Sequence, residues 1–340
     1  YELLLGEAEG TASYTVDPST GALGPRVALS LSKDGELHAV DGEETWASTV
    51  FSAAFAGLPL AQKGTEGWTI TRSPEAVQDR TFTYGSDLVR APDGALYVVW
   101  LGASGLESDL LFARFEPDAA EPFTYGVIPT APLALGVEVA ATFDAAGDLH
   151  VVFDADQDDT AGLFAVTLAA NTTTWSAPRR LGDIDGTYQG QRILSATSTA
   201  NGTYAVAVMP ASFFDKVVGG LRVFALAGSG PTTLRGPNDD RPVVEGVDTA
   251  ALSDGRLLVS ATWGENNLDA ADSDDAAVLY ACTATSCGLA LTVDGTNGTF
   301  FGRARIATRG LDGAIVYSAE PKGGNSVERT VLRRFTCPTP

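Results

Sequence analysis

The sequence predicts an all-β protein, a six-bladed β-propeller with four-stranded antiparallel blades whose last blade is closed by the N-terminal strand. Three observations carry this expectation. A tight-turn motif recurs six times, a nearly continuous apolar strand follows each turn, and no long segment keeps apolar residues at the 3.6 spacing of a helix. The 340 residues are expected to form a single domain over 1–340, because radial repeats build one body whatever their total length. Residues 1–22 are read as the closing strand and 336–340 as the start of a C-terminal linker.

The turns are Lys33-Asp34-Gly35-Glu36, Pro92-Asp93-Gly94-Ala95, Ala145-Ala146-Gly147-Asp148, Ala200-Asn201-Gly202-Thr203, Ser253-Asp254-Gly255-Arg256 and Leu311-Asp312-Gly313-Ala314. Five of the six carry Asp-Gly or Asn-Gly, pairs that accept the positive φ angles of short hairpin turns. By subtraction their glycines are separated by 59, 53, 55, 53 and 58 residues, near the roughly 50-residue period of the longer propeller repeats.

After each turn comes an apolar run: Glu36–Val40, Ala95–Trp100, Asp148–Phe153, Thr203–Val208, Arg256–Ala261 and Ala314–Ser318. A strand buried on both faces reads this way, as inner strands of packed blades do. A third strand follows, as in Leu110–Phe115, Gly162–Thr167 and Ala277–Ala281, and then an outer one such as Leu289–Val293. Four antiparallel strands repeated radially describe a propeller. After Gly313 only three strands fit, while Tyr1–Leu5 and Ala12–Val16 are spare strand-like sequence. The N-terminal segment is therefore expected to complete the last blade and remove an exposed edge.

The chain has 43 acidic against 22 basic residues, a formal charge of −21. Such a surface repels phosphate backbones and anionic membranes, which argues against nucleic-acid binding. No apolar run approaches the length of a membrane span. Cations, basic proteins and neutral sugars remain as partners, beside a solvated acidic surface with none.

Of three cysteines, Cys282 and Cys287 flank a short loop between strand-like runs, where a disulfide would staple a hairpin. A zinc site would need more Cys or His nearby, and the only histidines, His38 and His150, are remote in sequence. A disulfide implies an oxidising compartment, so the chain is expected to be secreted or on the cell surface. Cys337 has no assigned role. The closing Cys337-Pro338-Thr339-Pro340 reads as the start of a linker in a longer surface protein.

Each expected inner strand is preceded by a glycine: Gly24, Gly85, Gly136, Gly190, Gly246 and Gly302. Two places on stand Arg26, Asp87, Glu138, Arg192 and Asp248, and in the sixth repeat Ala304 between Arg303 and Arg305. Periodicity carries these charges to one mouth of the central channel. There they either grip a polar ligand or pair with one another as a seal.

The run Asp-Gly-x-Leu-x-Val-Val-Trp, the following Leu-x-Phe/Tyr-Ala strand and Trp175-Ser176-Ala177-Pro178-Arg179-Arg180-Leu181 resemble the sialidase-like, bacterial-neuraminidase-repeat propellers. Blades of that superfamily often end in Ser-x-Asp-x-Gly-x-Thr-Trp. Here Thr174-Trp175 and Thr45-Trp46 keep the final pair, and Gly64 with Trp68 gives a looser echo. The resemblance covers nearly the whole chain at fold level, and fold alone does not fix function. It implies three arginines on a sugar carboxylate, a Tyr-Glu nucleophile pair and an Asp acid. Arg26, Arg192 and Arg303 or Arg305 match the first, Tyr317 the nucleophile and Asp87 the acid. Arg26 lies in Pro-Arg-Val where such enzymes commonly carry Arg-Ile-Pro, and no Glu stands beside Tyr317.

Two acidic stretches are expected on the same face. Asp154, Asp156 and Asp158 have the alternate spacing of the first half of a calcium loop. The sixth place holds Asp159 instead of glycine and no Glu stands at the twelfth, so a solvated loop is the alternative. Asp269, Asp272, Asp274 and Asp275 form the second stretch. His38 and His150 fall at equivalent repeat positions, which argues for packing. No Ser-His-Asp set, phosphate loop or dinucleotide fingerprint occurs.

Three functions compete at this point. One is an extracellular or cell-surface module binding glycan or protein through its loop-rich face. The second is a sialidase-like glycoside hydrolase or polysaccharide-degrading enzyme. The third is a structural surface module, stiffened by calcium.

Overall fold

A computed structural model describes residues 2–7, 10–17, 19–20, 22–29, 36–40, 45–50, 59–64, 66–72, 81–104, 107–116, 123–158, 160–184, 194–209, 220–228, 230–234, 243–264, 276–283, 286–295, 299–321 and 329–337. Among the described residues there is no helix, and the 26 strands form seven antiparallel sheets in which each strand pairs with the next along the chain. The fold is a six-bladed β-propeller, with a further sheet of three strands at the N-terminus.

Packing divides the chain into two compact units, Tyr1–Val139 and Ala140–Pro340. The first holds the N-terminal sheet, β1 (Glu2–Glu7), β2 (Gly10–Thr15) and β3 (Val27–Leu29). The first blade follows, made of β4 (Glu36–Val40), β5 (Thr45–Val50), β6 (Pro59–Gly64) and β7 (Gly67–Arg72). The second is β8 (Thr81–Arg90), β9 (Leu96–Ser104), β10 (Glu107–Phe115) and β11 (Phe123–Ile128).

Each sheet covers the next. Leu4 and Leu29 of the N-terminal sheet pack with Ala61, Trp68 and Ile70 of the first blade, and the Trp68 indole N–H donates to Ser13 Oγ at 3.0 Å. Leu60 then packs against Leu96, Val98, Trp100 and Phe115 of the second blade. Burying each such side chain contributes roughly 1.5–3 kcal/mol.

The third blade begins with β12 (Ala134–Phe143), which runs across the boundary between the units, and continues with β13 (Leu149–Gln157), β14 (Thr160–Leu168) and β15 (Arg179–Asp183). The fourth is β16 (Leu194–Thr199), β17 (Gly202–Met209), β18 (Gly220–Ala225) and β19 (Pro231–Leu234). The fifth is β20 (Val243–Ala251), β21 (Leu257–Gly264), β22 (Ala276–Cys282) and β23 (Cys287–Asp294). The last has three strands, β24 (Thr299–Arg309), β25 (Asp312–Pro321) and β26 (Arg329–Thr336). In the second unit Val152, Leu163 and Ala165 meet Ala205, Ala207 and Phe224. Val206, Val208 and Val223 meet Val259, Trp263 and Tyr280. Leu258, Ala277 and Leu279 meet Ile315, Tyr317 and Phe335. The apolar second strands expected from sequence supply most of these contacts, because both of their faces are covered.

Among the described residues the N-terminal strands pair with one another. β1 pairs with β2 from Glu2↔Thr15 to Glu7↔Gly10, and β2 with β3, so these strands find local partners. Closing a short hairpin costs less chain entropy than a pairing across the whole sequence. The first repeat is also shifted. Asp34-Gly35 lies outside the described residues and precedes β4, which is the first strand of its blade. Val40 pairs with Trp46, so the connection from first to second strand follows Val40, where Asp41-Gly42 stands in the sequence. Gly42 precedes Gly94 by 52 residues, closer to the other spacings than Gly35 is.

Candidate functional site

In three blades the glycine that opens the repeat marks an irregularity in the first strand. The pairing of β8 with β9 jumps between Phe82 and Ser86, that of β20 with β21 between Val244 and Gly246, and that of β24 with β25 between Phe301 and Ala304. Gly85, Gly246 and Gly302 sit at these three bulges. Bulges interrupt the ladder and re-aim the side chains that follow. Gly85 has φ +67°, and a Cβ there would lie 2.5 Å from the Val137 carbonyl and 2.9 Å from Glu138 Cα. No other residue fits both the dihedral and the close approach of β12.

Just beyond the bulge stand two equivalent carboxylates. Asp87 lies opposite Val99 and Asp248 opposite Ser260. Each is half-buried, and each Oδ1 accepts the N–H of the next residue, Leu88 at 2.8 Å and Thr249 at 2.9 Å.

Asp248 does more than this. Its Oδ2 accepts the Ile306 N–H of β24 at 2.9 Å, and Ser195 Oγ of β16 donates to its Oδ1 at 3.3 Å. Thr249 Oγ1 bonds Ser195 Oγ at 2.8 Å and Thr197 Oγ1 at 2.7 Å, and Thr308 Oγ1 donates to the Ala251 carbonyl at 2.7 Å. Three consecutive first strands are stitched together at one level. Sequence reading missed these hydroxyls; the run Ser195, Thr197, Ser198 and Thr199 in β16, with Thr249 beside Asp248 in β20, was the available signal.

The residues expected in the ring of charges are placed as follows. Asp87, Glu138 and Asp248 lie on first strands and are half-buried. Arg303 falls within the β24 bulge and Arg305 follows it, exposed. Arg192 lies outside the described residues. Arg26 is exposed just before β3, the third strand of the N-terminal sheet, so it is not equivalent to Asp87. The shift of the first repeat explains the misplacement.

Tyr317 is 1% exposed in the core between the fifth and last blades. Its hydroxyl donates to Asp294 Oδ2 at 2.8 Å. Burial, reinforced by that bond and the carboxylate's charge, pushes the phenol up to about 12. This is the opposite of what a nucleophile needs, and the residue holds two blades together instead.

The expected acidic loop is placed differently. Asp154 and Asp156 belong to β13, whose ladder with β14 continues to Gln157↔Thr160, and Asp158, at φ 52°, lies in the turn. Asp154 is buried and Asp156 and Asp158 are exposed. The stretch is the end of a hairpin. Among the described residues no group of three or more His, Cys, Asp or Glu side chains is placed to hold a metal ion. Asp269, Asp272, Asp274 and Asp275 lie outside the described residues.

Cys282 and Cys287 are bonded as the sequence suggested, across the third-to-fourth-strand hairpin of the fifth blade. Cys337 is a free, buried thiol held above its usual pKa by burial, against the pull of Arg256.

His38 and His150 are not equivalent: His38 is in the first strand of its blade and His150 in the second strand, β13. His150 links Asp144 Oδ2 through Nε2 and Thr167 Oγ1 through Nδ1, each at 3.0 Å. Burial acts to raise the Asp144 carboxyl, but hydrogen bonds from His150, Asp148 and Ala146 outweigh it and hold the group below its ordinary value. Thr174-Trp175 falls between third and fourth strands, Gly64 ends a third strand with Trp68 in the fourth, and Thr45-Trp46 opens a second strand.

No protein-family model matches the chain, and no curated protein matches it in sequence. Solved structures do share its fold. A PL25 polysaccharide lyase, an ulvan lyase solved with bound -[GlcA(1-4)Rha3S]-, superposes with a TM-score of 0.61 at 9% identity, over 96% of this chain and 91% of that one. The polysaccharide lyase Uly1 gives 0.58 at 8% identity, over 99% and 87%. The sialidase Hz136 gives 0.49 at 10% identity, over 83% and 62%. At such identities the likeness is one of fold.

Proposed function

We propose that this chain is an exported propeller that recognises glycan through the loops at the bulged ends of its first strands. The observation that carries this reading is the superposition over nearly the full length of two polysaccharide lyases, one of them holding its oligosaccharide. The Cys282–Cys287 bond supports export, since such bonds persist in oxidising compartments. By position on the first strands the described charged groups are Asp87 and Glu138 in one unit and Asp248, Arg303 and Arg305 in the other.

Binding is favoured over turnover by what the candidate catalytic groups do. Tyr317 is buried and held protonated by its surroundings. Asp248 already accepts two backbone N–H groups and a hydroxyl. A polysaccharide-degrading enzyme is the second reading, favoured by the activity of both lyases.

A glycan array probed with the whole chain, with the retained polysaccharides then assayed for new reducing ends and unsaturated uronate, tests both. Retention without product is the expected result. Product release would establish the second reading. Retention of no glycan at all would overturn both and leave a protein ligand.

A further inference from the structure

Three asparagines of this chain open the pattern Asn-x-Thr: Asn171-Thr172-Thr173, Asn201-Gly202-Thr203 and Asn297-Gly298-Thr299. With any residue but proline in the middle, this pattern is the acceptor of N-linked glycan in exported proteins. The fold treats the first two differently, and Asn297 lies outside the described residues.

The hairpin between β14 and β15 carries Asn171 at its tip. Leu168 bridges Trp175, the Ser176 N–H donates to the Thr167 carbonyl at 2.8 Å, and Ser176 Oγ accepts the Thr167 N–H at 2.9 Å. The loop closed by these bonds runs from Ala169 to Thr174. Its turn is set by the Thr172 N–H, which donates to the Ala169 carbonyl at 3.1 Å, with Asn171 at φ 59°. Asparagine enters that left-handed region at less cost than most side chains. Asn171, Thr172, Thr173 and Thr174 are all exposed. The Ala170 N–H donates to Asp148 Oδ1 at 2.7 Å and pins the loop to the turn between first and second strands. All of these contacts lie within the second compact unit. Asn201 is placed otherwise. Its Nδ2 donates to the Gly255 carbonyl at 3.0 Å, and the Thr203 hydroxyl bonds Ser198 Oγ at 2.7 Å. Both groups that the second motif would offer are already bonded within the fold.

We propose that Asn171 is an N-glycosylation site whose sugar stands at the end of the third blade away from the recognition loops. The inference rests on the export reading above. The transfer joins Asn171 Nδ2 to the anomeric carbon of an oligosaccharide held on a polyprenyl diphosphate. The bond from that carbon to the diphosphate oxygen breaks, the diphosphate leaves with its electron pair, and one amide proton passes to the transferase. The Thr173 hydroxyl, two residues on, is the group by which the transferase recognises its acceptor. An exposed turn tip admits that enzyme and afterwards holds a bulky, solubilising group without disturbing packed surface. Strands β12, β13 and β14 alternate in direction. The β14–β15 loop therefore shares the Asp148 end of the blade, one strand's length from the start of β12.

The test secretes the full chain, fitted with a leader peptide, from a eukaryotic cell line as wild type, Thr173→Ala and Thr173→Ser. Peptides are mapped by mass spectrometry before and after treatment with peptide-N-glycosidase. Thr173 is varied because most replacements of Asn171 would strain its left-handed backbone. The wild-type peptide holding Asn171 should carry a glycan, and its release should leave Asp at 171. Thr173→Ala should lose the glycan altogether and Thr173→Ser should keep part of it, with the melting temperature and polysaccharide retention of wild type in both. Secreted wild type that is bare at Asn171 would overturn this inference and leave export standing. A glycan that persists in Thr173→Ala would refute recognition through the motif. Weaker polysaccharide retention by wild type than by Thr173→Ala would refute the placement of the sugar away from the recognition loops. Thiol labelling of Cys282 and Cys287 in the same unreduced sample would count against export instead.

Discussion

Asp248 accepts the backbone N–H of Ile306 at 2.9 Å, joining the first strand of the fifth blade to that of the last. On its other side the same carboxylate receives the Ser195 hydroxyl from the fourth blade. A side chain noticed for its charge is thus a tie between three strands. Asp248→Ala should remove the acceptor of two backbone donors and cost about 3 kcal/mol of unfolding free energy, measured by urea denaturation. A loss below about 0.5 kcal/mol would show that water replaces those bonds freely.

Tyr317→Phe removes one hydrogen bond to Asp294 and leaves the ring in place. The expected loss is about 1–2 kcal/mol, with glycan binding unchanged. Burial raises Tyr97, Tyr204 and Tyr280 as well as Tyr317, so ultraviolet titration should find one fewer late-ionising tyrosine in the variant than in wild type. Loss of binding by the variant would restore a functional role to the hydroxyl.

The disulfide closes a loop of sequence separation 5. Short loops gain least from cross-linking, so Cys282→Ser/Cys287→Ser should cost about 2 kcal/mol. Thiol labelling of native, unreduced protein should modify neither residue. Labelling of both would remove the support for export.

Acid should weaken the fold through depressed carboxylates. Asp144 is held below the ordinary 3.8, and Asp17 is lowered to about 2 by the Ser19 hydroxyl and N–H and by the Thr20 N–H. For a group depressed by folding, the stabilisation is present above the unfolded pKa and lost as pH falls through the folded one. Unfolding free energy should therefore fall between roughly pH 4 and pH 2. Asp144→Asn should flatten that slope while lowering stability at neutral pH. An identical slope in the variant would place the acid sensitivity elsewhere.

Local chemistry was legible in this sequence, and long-range pairing was not. Asp93-Gly94 and Asp254-Gly255 announce hairpins because only a few residue pairs accept that backbone. The apolar runs after them announce strands covered on both faces. The same rule misled at the first repeat, where Asp34-Gly35 reads as the turn between first and second strands but precedes β4, the first strand of its blade. Only the pairing of β4 with β5 reveals the shift. Asp154 and Asp156 read as loop because Asp is poor in strands, yet pairing to β14 overrides that preference. Asp248's partner is a backbone N–H, which any residue at 306 would offer, so no side chain there could give it away. Tyr317 looked reactive because its burial depends on the neighbouring blade.

Trp100 and Trp263 are each 2% exposed, one in the core of each compact unit. They are therefore a matched pair of optical reporters, sheltered from aqueous quenchers until their own unit opens. Once Trp46, Trp68 and Trp175 are replaced with Phe, each unit emits through one buried indole, and replacing either of those two with Phe silences one unit and leaves the other emitting. The unfolding of residues 1–139 and of 140–340 then becomes separately visible in a single unlabelled polypeptide, and two coincident melts would reveal one cooperative transition.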